Sequence, residues 1–109
     1  MIRLLIMLGA IAATSAIAGP LSKFDKKPPV ASYSSRADLY DIERCLIDMD
    51  MQTPPFVYAQ PDRPDQVTLV WESAASAVGR TDLKREDKAT HITTWSHAAQ
   101  VQACAPPRG

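Results

Sequence analysis

Glycine is scarce in this chain. Of its four glycines only Gly79 falls inside the stretch that reads as folded, so a glycine-rich loop able to cradle phosphate is excluded. Histidine is as rare. His91 and His97 are the only two; five residues separate them, but zinc wants three or four ligands, this is the sole histidine pair, and no H-E-x-x-H occurs. A hydrolase would need one of them packed against Asp or Glu with Ser or Thr in reach, and no G-x-S-x-G marks a nucleophile. Lys84-Arg85 is the nearest approach to a basic patch, and Glu86-Asp87 answers it at once. Nucleic acid and anionic membrane surfaces are therefore not expected partners. Internal repeats are absent. No cofactor or metal is expected: Met49 and Met51, which a soft cation would favour, read as helix stripe and its continuation. Asp48 and Asp50 point to different sides of a helix end, so they do not make a shared acid–base site.

The first 18 residues are set aside as a leader. Arg3 precedes an apolar run over 4–13, and small residues then end in Ala16-Ile17-Ala18. This is the layout of a secretory signal peptide cleaved between Ala18 and Gly19. A lipoprotein would place a cysteine after the small residues; Gly19-Pro20 follows instead, so no lipid anchor and no lasting membrane anchor are expected. Removing 18 of 109 residues leaves 91, enough for one small domain. Taking Arg3 from 12 basic residues leaves 11 against 12 acidic ones, a net charge of −1. The expected destination is periplasmic or secreted.

Only two cysteines are present, and an exported chain this short uses such a pair as a single bridge. A Cys45–Cys104 disulfide would close a loop of about 60 residues and stabilise by roughly 4 kcal/mol in the chain-entropy model. Without C-x-x-C spacing a catalytic disulfide is not expected.

Leu39, Ile42, Leu46 and Met49 recur at the three-and-four spacing of one helix face, within an amphipathic helix over 35–50. Ser35 and Asp38 are placed for a capping box, and Pro54-Pro55 forbids continuation. Ahead of it, 19–34 combines Pro28-Pro29 with three lysines and reads as a disordered lead. After it, 56–60 is short and β-prone, 61–65 is dense in turn formers, and 66–72 alternates with Val67, Leu69 and Trp71 on one face. The stretch 73–83 is ambiguous, with strand favoured over a helical turn. Residues 89–95 are rich in β-branched side chains and read as strand. For 96–103, helix and edge strand are evenly matched, and 105–109 reads as a disordered tail. The expected fold is α+β: one N-terminal amphipathic helix on a small antiparallel three- or four-stranded meander, stapled by one disulfide, with the domain spanning 35–104.

With no catalytic constellation, the expectation is a non-enzymatic exported domain that binds a protein or envelope component. The alternative is a small-molecule or metal binder on an exposed sheet face carrying Trp71, His91 and Trp95. If Trp95 instead points inward, Thr68, Thr90 and Thr94 would lie on the outer face.

Overall fold

The computed structural model describes residues 22–49, 53–74 and 76–108. The leader and its cleavage site lie outside them, as do Asp50 and Met51. The chain runs β1 (Ala31–Ser35), α1 (Leu39–Asp48), β2 (Phe56–Tyr58), β3 (Gln66–Ser73), β4 (Ser76–Glu86), β5 (Ala89–Thr94) and α2 (Ala98–Cys104). The strands form one five-stranded sheet in the order β1-β5-β4-β3-β2, every neighbouring pair antiparallel.

This corrects the expected architecture. The sheet has five strands, and α1 is not the N-terminal element, because β1 precedes it and pairs with β5 through Tyr33↔Ile92 and Ser35↔Thr90. The serine-rich segment has little β propensity of its own; the ladder offered by β5 makes it a strand. Ser35 is therefore the last residue of β1, and its Oγ accepts from the Ala37 N–H. The helix cap is Asp38, whose carboxylate accepts from the Tyr40 N–H at 3.0 Å. The lead expected to be disordered is likewise folded over 22–34, and Phe24 is buried. At the other end Ala105 is buried, and Pro107 bridges to Ser35 while the Arg108 N–H donates to the Ser34 carbonyl. The tail thus covers part of the outer edge of β1, and β2 forms the opposite edge.

Both helices lie on one face of the sheet. Leu39, Ile42 and Leu46 from α1 and Val101 from α2 pack with Val67, Leu69, Trp71, Leu83 and Ile92. Met49, half-buried, follows α1 as its C-cap. Strand alternation places Thr81, Thr90 and Thr94 on this same buried face. Their hydroxyls are satisfied there: Thr81 and Thr94 share a hydrogen bond at 2.6 Å, and Thr90 donates to the Ala37 carbonyl. The Tyr33 hydroxyl donates to the Ala105 carbonyl at 2.7 Å, and its burial pushes its pKa up. Cys45 and Cys104 are bridged, with Cα atoms 5.7 Å apart, and join α1 to α2.

Two tight hairpins build the centre. Ser73↔Ser76 and Glu86↔Ala89 close β3–β4 and β4–β5, with Ala74 and Asp87 at positive φ. Between Trp71↔Gly79 and Glu72↔Ala77 the register shifts by one residue at Val78. That bulge turns Ala77 to the face opposite Gly79. The ambiguous stretch 73–83 is thus hairpin and strand, and 96–103 resolves largely into helix.

Candidate functional site

The face away from the helices carries the candidate site. Alternation brings Tyr58, Thr68, Val70, Arg80, Asp82, Lys84, His91 and Thr93 onto it. A groove of about 620 Å³ crosses this face, bordered by Tyr58, Arg63, Thr68, Asp82, Lys84 and His91. Lys84 and His91 are direct cross-strand partners, and His91 Nε2 lies 3.1 Å from the Ser32 hydroxyl.

The β2–β3 loop forms one wall of this groove, and specific bonds fix its position. Its own turns close through Arg63 N–H to the Gln60 carbonyl and Gln66 N–H to the Arg63 carbonyl. Behind it, the Tyr40 hydroxyl donates to the Pro64 carbonyl, and Arg85 pairs with Asp65 and with Asp38 at the head of α1. The Arg85 guanidinium also sits 5.0 Å from the centre of the Tyr40 ring. The proline-dense loop is therefore a rigid wall.

Arg80 organises the floor. Its Nε and Nη2 reach the two oxygens of Asp82 at 2.8 and 2.9 Å, and its Nη1 reaches Asp25 at 2.9 Å. Thr68 donates to the same Asp82 carboxylate. Burial alone would lower the Arg80 pKa, but Asp82 and Asp25 outweigh it and hold the group charged.

At the far end of the face, residues 22–27 cross the sheet as a strap. Phe24 fills a hole made by Val70, Ala77 and Trp95. Lys23 Nζ donates to the Ala77 carbonyl at 2.6 Å, and the Trp95 indole N–H donates to the Lys27 carbonyl at 2.8 Å.

Trp71, His91 and Trp95 do not share a surface. Trp71 is 2 % exposed on the helix face, packed against His97 with ring centres 4.5 Å apart and planes tilted by 32°. Its indole N–H has no acceptor among the described residues. Trp95 lies under the strap, and His91 alone of the three borders the groove. Of the three threonines expected outside, only Thr68 is on the open face; Thr90 and Thr94 follow Ile92 inward. Tyr58 and Arg63 also border the groove without any mark in the sequence, and Lys84 stands out there only as half of a short basic pair. The polar alternation of Thr68, Asp82 and Lys84 carried a signal, but the wall that makes a groove of it depends on the tertiary placement of the loop.

Ser96 Oγ and His97 Nδ1 are 2.7 Å apart. Among the described residues no carboxylate bonds to this histidine, and the Ser96 hydroxyl is turned toward Gly79, where an added Cβ would overlap it. Burial lowers the His97 pKa. No group of three or more His, Cys, Asp or Glu among the described residues is arranged to hold a metal, and none of the described helices is long and apolar enough to cross a membrane. The chain matches no family model, no curated protein and no solved structure.

Proposed function

We propose that this is an exported, non-enzymatic binding domain that docks a protein or envelope component on the open face of its sheet, in the groove between Tyr58 and His91. The observation that carries the reading is the groove itself. A fixed loop wall faces a floor of hydroxyl, amide and charged side chains, and nothing in the core requires that concavity. Export is supported by the leader pattern and by the Cys45–Cys104 bridge, which suits an oxidising compartment.

The test is capture from envelope extract by the immobilised exported chain, beside a chain carrying Tyr58→Ala and Lys84→Glu. A reproducible partner held by the first and lost by the second is the expected result. An identical set of captured proteins on both, or none on either, would sink the proposal.

The groove volume also falls within the roughly 300–1,000 Å³ of small-molecule sites, which keeps a small-molecule ligand as the second reading. Because the tryptophans lie elsewhere, the His91 ring resonances, not indole fluorescence, are the readout for it. Unmoved His91 signals across a ligand panel would remove this reading.

A further inference from the structure

The strap is bound to the rest of the molecule in the manner of a ligand. Residues 22–27 take no part in the sheet ladder. Two bonds between their own backbone groups are local, Asp25 N–H to the Ser22 carbonyl and Lys27 N–H to the Phe24 carbonyl, while the Lys27 carbonyl also accepts from the Trp95 indole N–H. Their attachment to the sheet includes one aromatic ring seated in an apolar hole, one carboxylate on Arg80, and Lys23 on the Ala77 carbonyl. Pro28-Pro29 then separates this unit from β1, so the strap can lift without unzipping a strand.

The receptor beneath it also has supports outside the strap. Val70 and Ala77 are held by the β3–β4 ladder. The Trp95 N–H donates to the Arg80 carbonyl. Arg80 remains clamped by both oxygens of Asp82 and lies 5.1 Å from the centre of the Trp95 ring. A prepared apolar hole beside a prepared guanidinium fits an aromatic residue followed by an acid, as Phe24-Asp25 supplies. Arg80 also borders the groove, so the guanidinium beside the hole stands at the groove's edge as well.

We infer that the strap occupies a receptor for an extended protein segment carrying an aromatic residue followed by Asp or Glu, and that such a segment from a partner replaces the strap and continues into the groove. This rests on the open face being the docking surface. Phe24 and Asp25 act as an internal competitor, and the affinity seen by a partner is reduced by the fraction of chains with the strap down.

The test uses the exported chain with Phe24→Ala, which empties the hole. The probe is the capped hexapeptide Ser-Lys-Phe-Asp-Lys-Lys, followed through the ¹H–¹⁵N resonance of the Trp95 indole. Saturable movement of Trp95 is expected, with binding about tenfold or more weaker to the wild-type chain. It should be abolished when the peptide phenylalanine is replaced by alanine and weakened when its aspartate becomes lysine. Asp25→Ala, which leaves Phe24 seated but takes the strap's carboxylate off Arg80, serves as the second variant should Phe24→Ala lose the dispersed sheet resonances. No saturable movement of Trp95 in the folded variants, or movement indifferent to either peptide change, would overturn the inference. A peptide that shifts Lys84 and His91 but not Trp95 would overturn it while leaving the groove reading standing. Failure of the envelope capture with Trp95 still responding would separate the two in the other direction.

Discussion

Gly79 leaves room for the Ser96–His97 corner beside Trp71. An added Cβ would overlap the Ser96 hydroxyl and sit 2.8 Å from the Ser96 Cβ and 3.1 Å from His97 Cε1. The hydroxyl can rotate away, but the Ser96 Cβ can move only with its backbone. Gly79→Ala should therefore destabilise by about 1–3 kcal/mol, the usual cost of overpacking, read as a lower urea midpoint. His97 responds to the same crowding through protonation. Burial disfavours its imidazolium, so its folded-state pKa lies below the ordinary 6.5. The unfolded chain then binds more protons than the native one in the window below pH 6.5. Stability is full above that value and is lost as pH falls through the folded pKa. Thermal unfolding should shift downward from pH 7.5 to pH 5, and His97→Asn should shrink that shift. Asn is chosen because His97 sits at φ 55, a conformation Asn tolerates.

The elements differ in how openly the sequence announces them, and the reason in each case is whether the signal is local. The stripe of Leu39, Ile42 and Leu46 belongs to a helix that buries one side, and β3 alternates over Gln66 to Leu69 because only its helix face is covered there, until Val70 is buried by the strap. Neither β1 nor the strap has such a pattern. β1 is Ala-Ser-Tyr-Ser-Ser and is a strand because β5 offers it a ladder. Phe24 is a single aromatic among lysines, and its burial depends on Val70, Ala77 and Trp95 from distant parts of the chain. The site was hidden for the same reason. His91 was visible as a residue, but its neighbours across the groove come from a loop whose seat is set by Tyr40 and Arg85. The two phenylalanines make the contrast measurable. Phe24 is 6 % exposed and Phe56 is 55 % exposed. Phe24→Ala should cost about 2–4 kcal/mol and bring the Trp95 emission toward that of a solvated indole. Phe56→Ser, on the edge strand and largely in solvent, should cost less than Phe24→Ala, at most about 1 kcal/mol in the same denaturation experiment.

At the scale of the whole molecule, the disulfide binds together elements that are weak separately. Cys45 and Cys104 are 59 residues apart, and between them the chain makes β2 to β5. α2 has seven residues, begins from His97 with no side-chain cap, and fully buries only Val101, with Cys104 half-buried beside it. A helix so short does not persist on its own in water. The bridge holds it against α1, and it in turn positions Ala105 under the Tyr33 hydroxyl and Pro107 beside Ser35. Cutting the bridge with Cys45→Ala and Cys104→Ala together, or by reduction, should cost about 2–4 kcal/mol of global stability. The loss should not be uniform. Amide exchange at Val101, Ala105 and Arg108, whose N–H groups donate to His97, Val101 and Ser34, should accelerate well beyond that of the central β4 amides. If all amides speed up by one common factor, the staple acts only through the unfolded chain. If the C-terminal set leads, the bridge also maintains the native seat of α2 and the cover over the β1 edge. The second outcome is the expected one, because the ladder of β3, β4 and β5 has hydrogen bonds and core of its own, and α2 has one buried side chain.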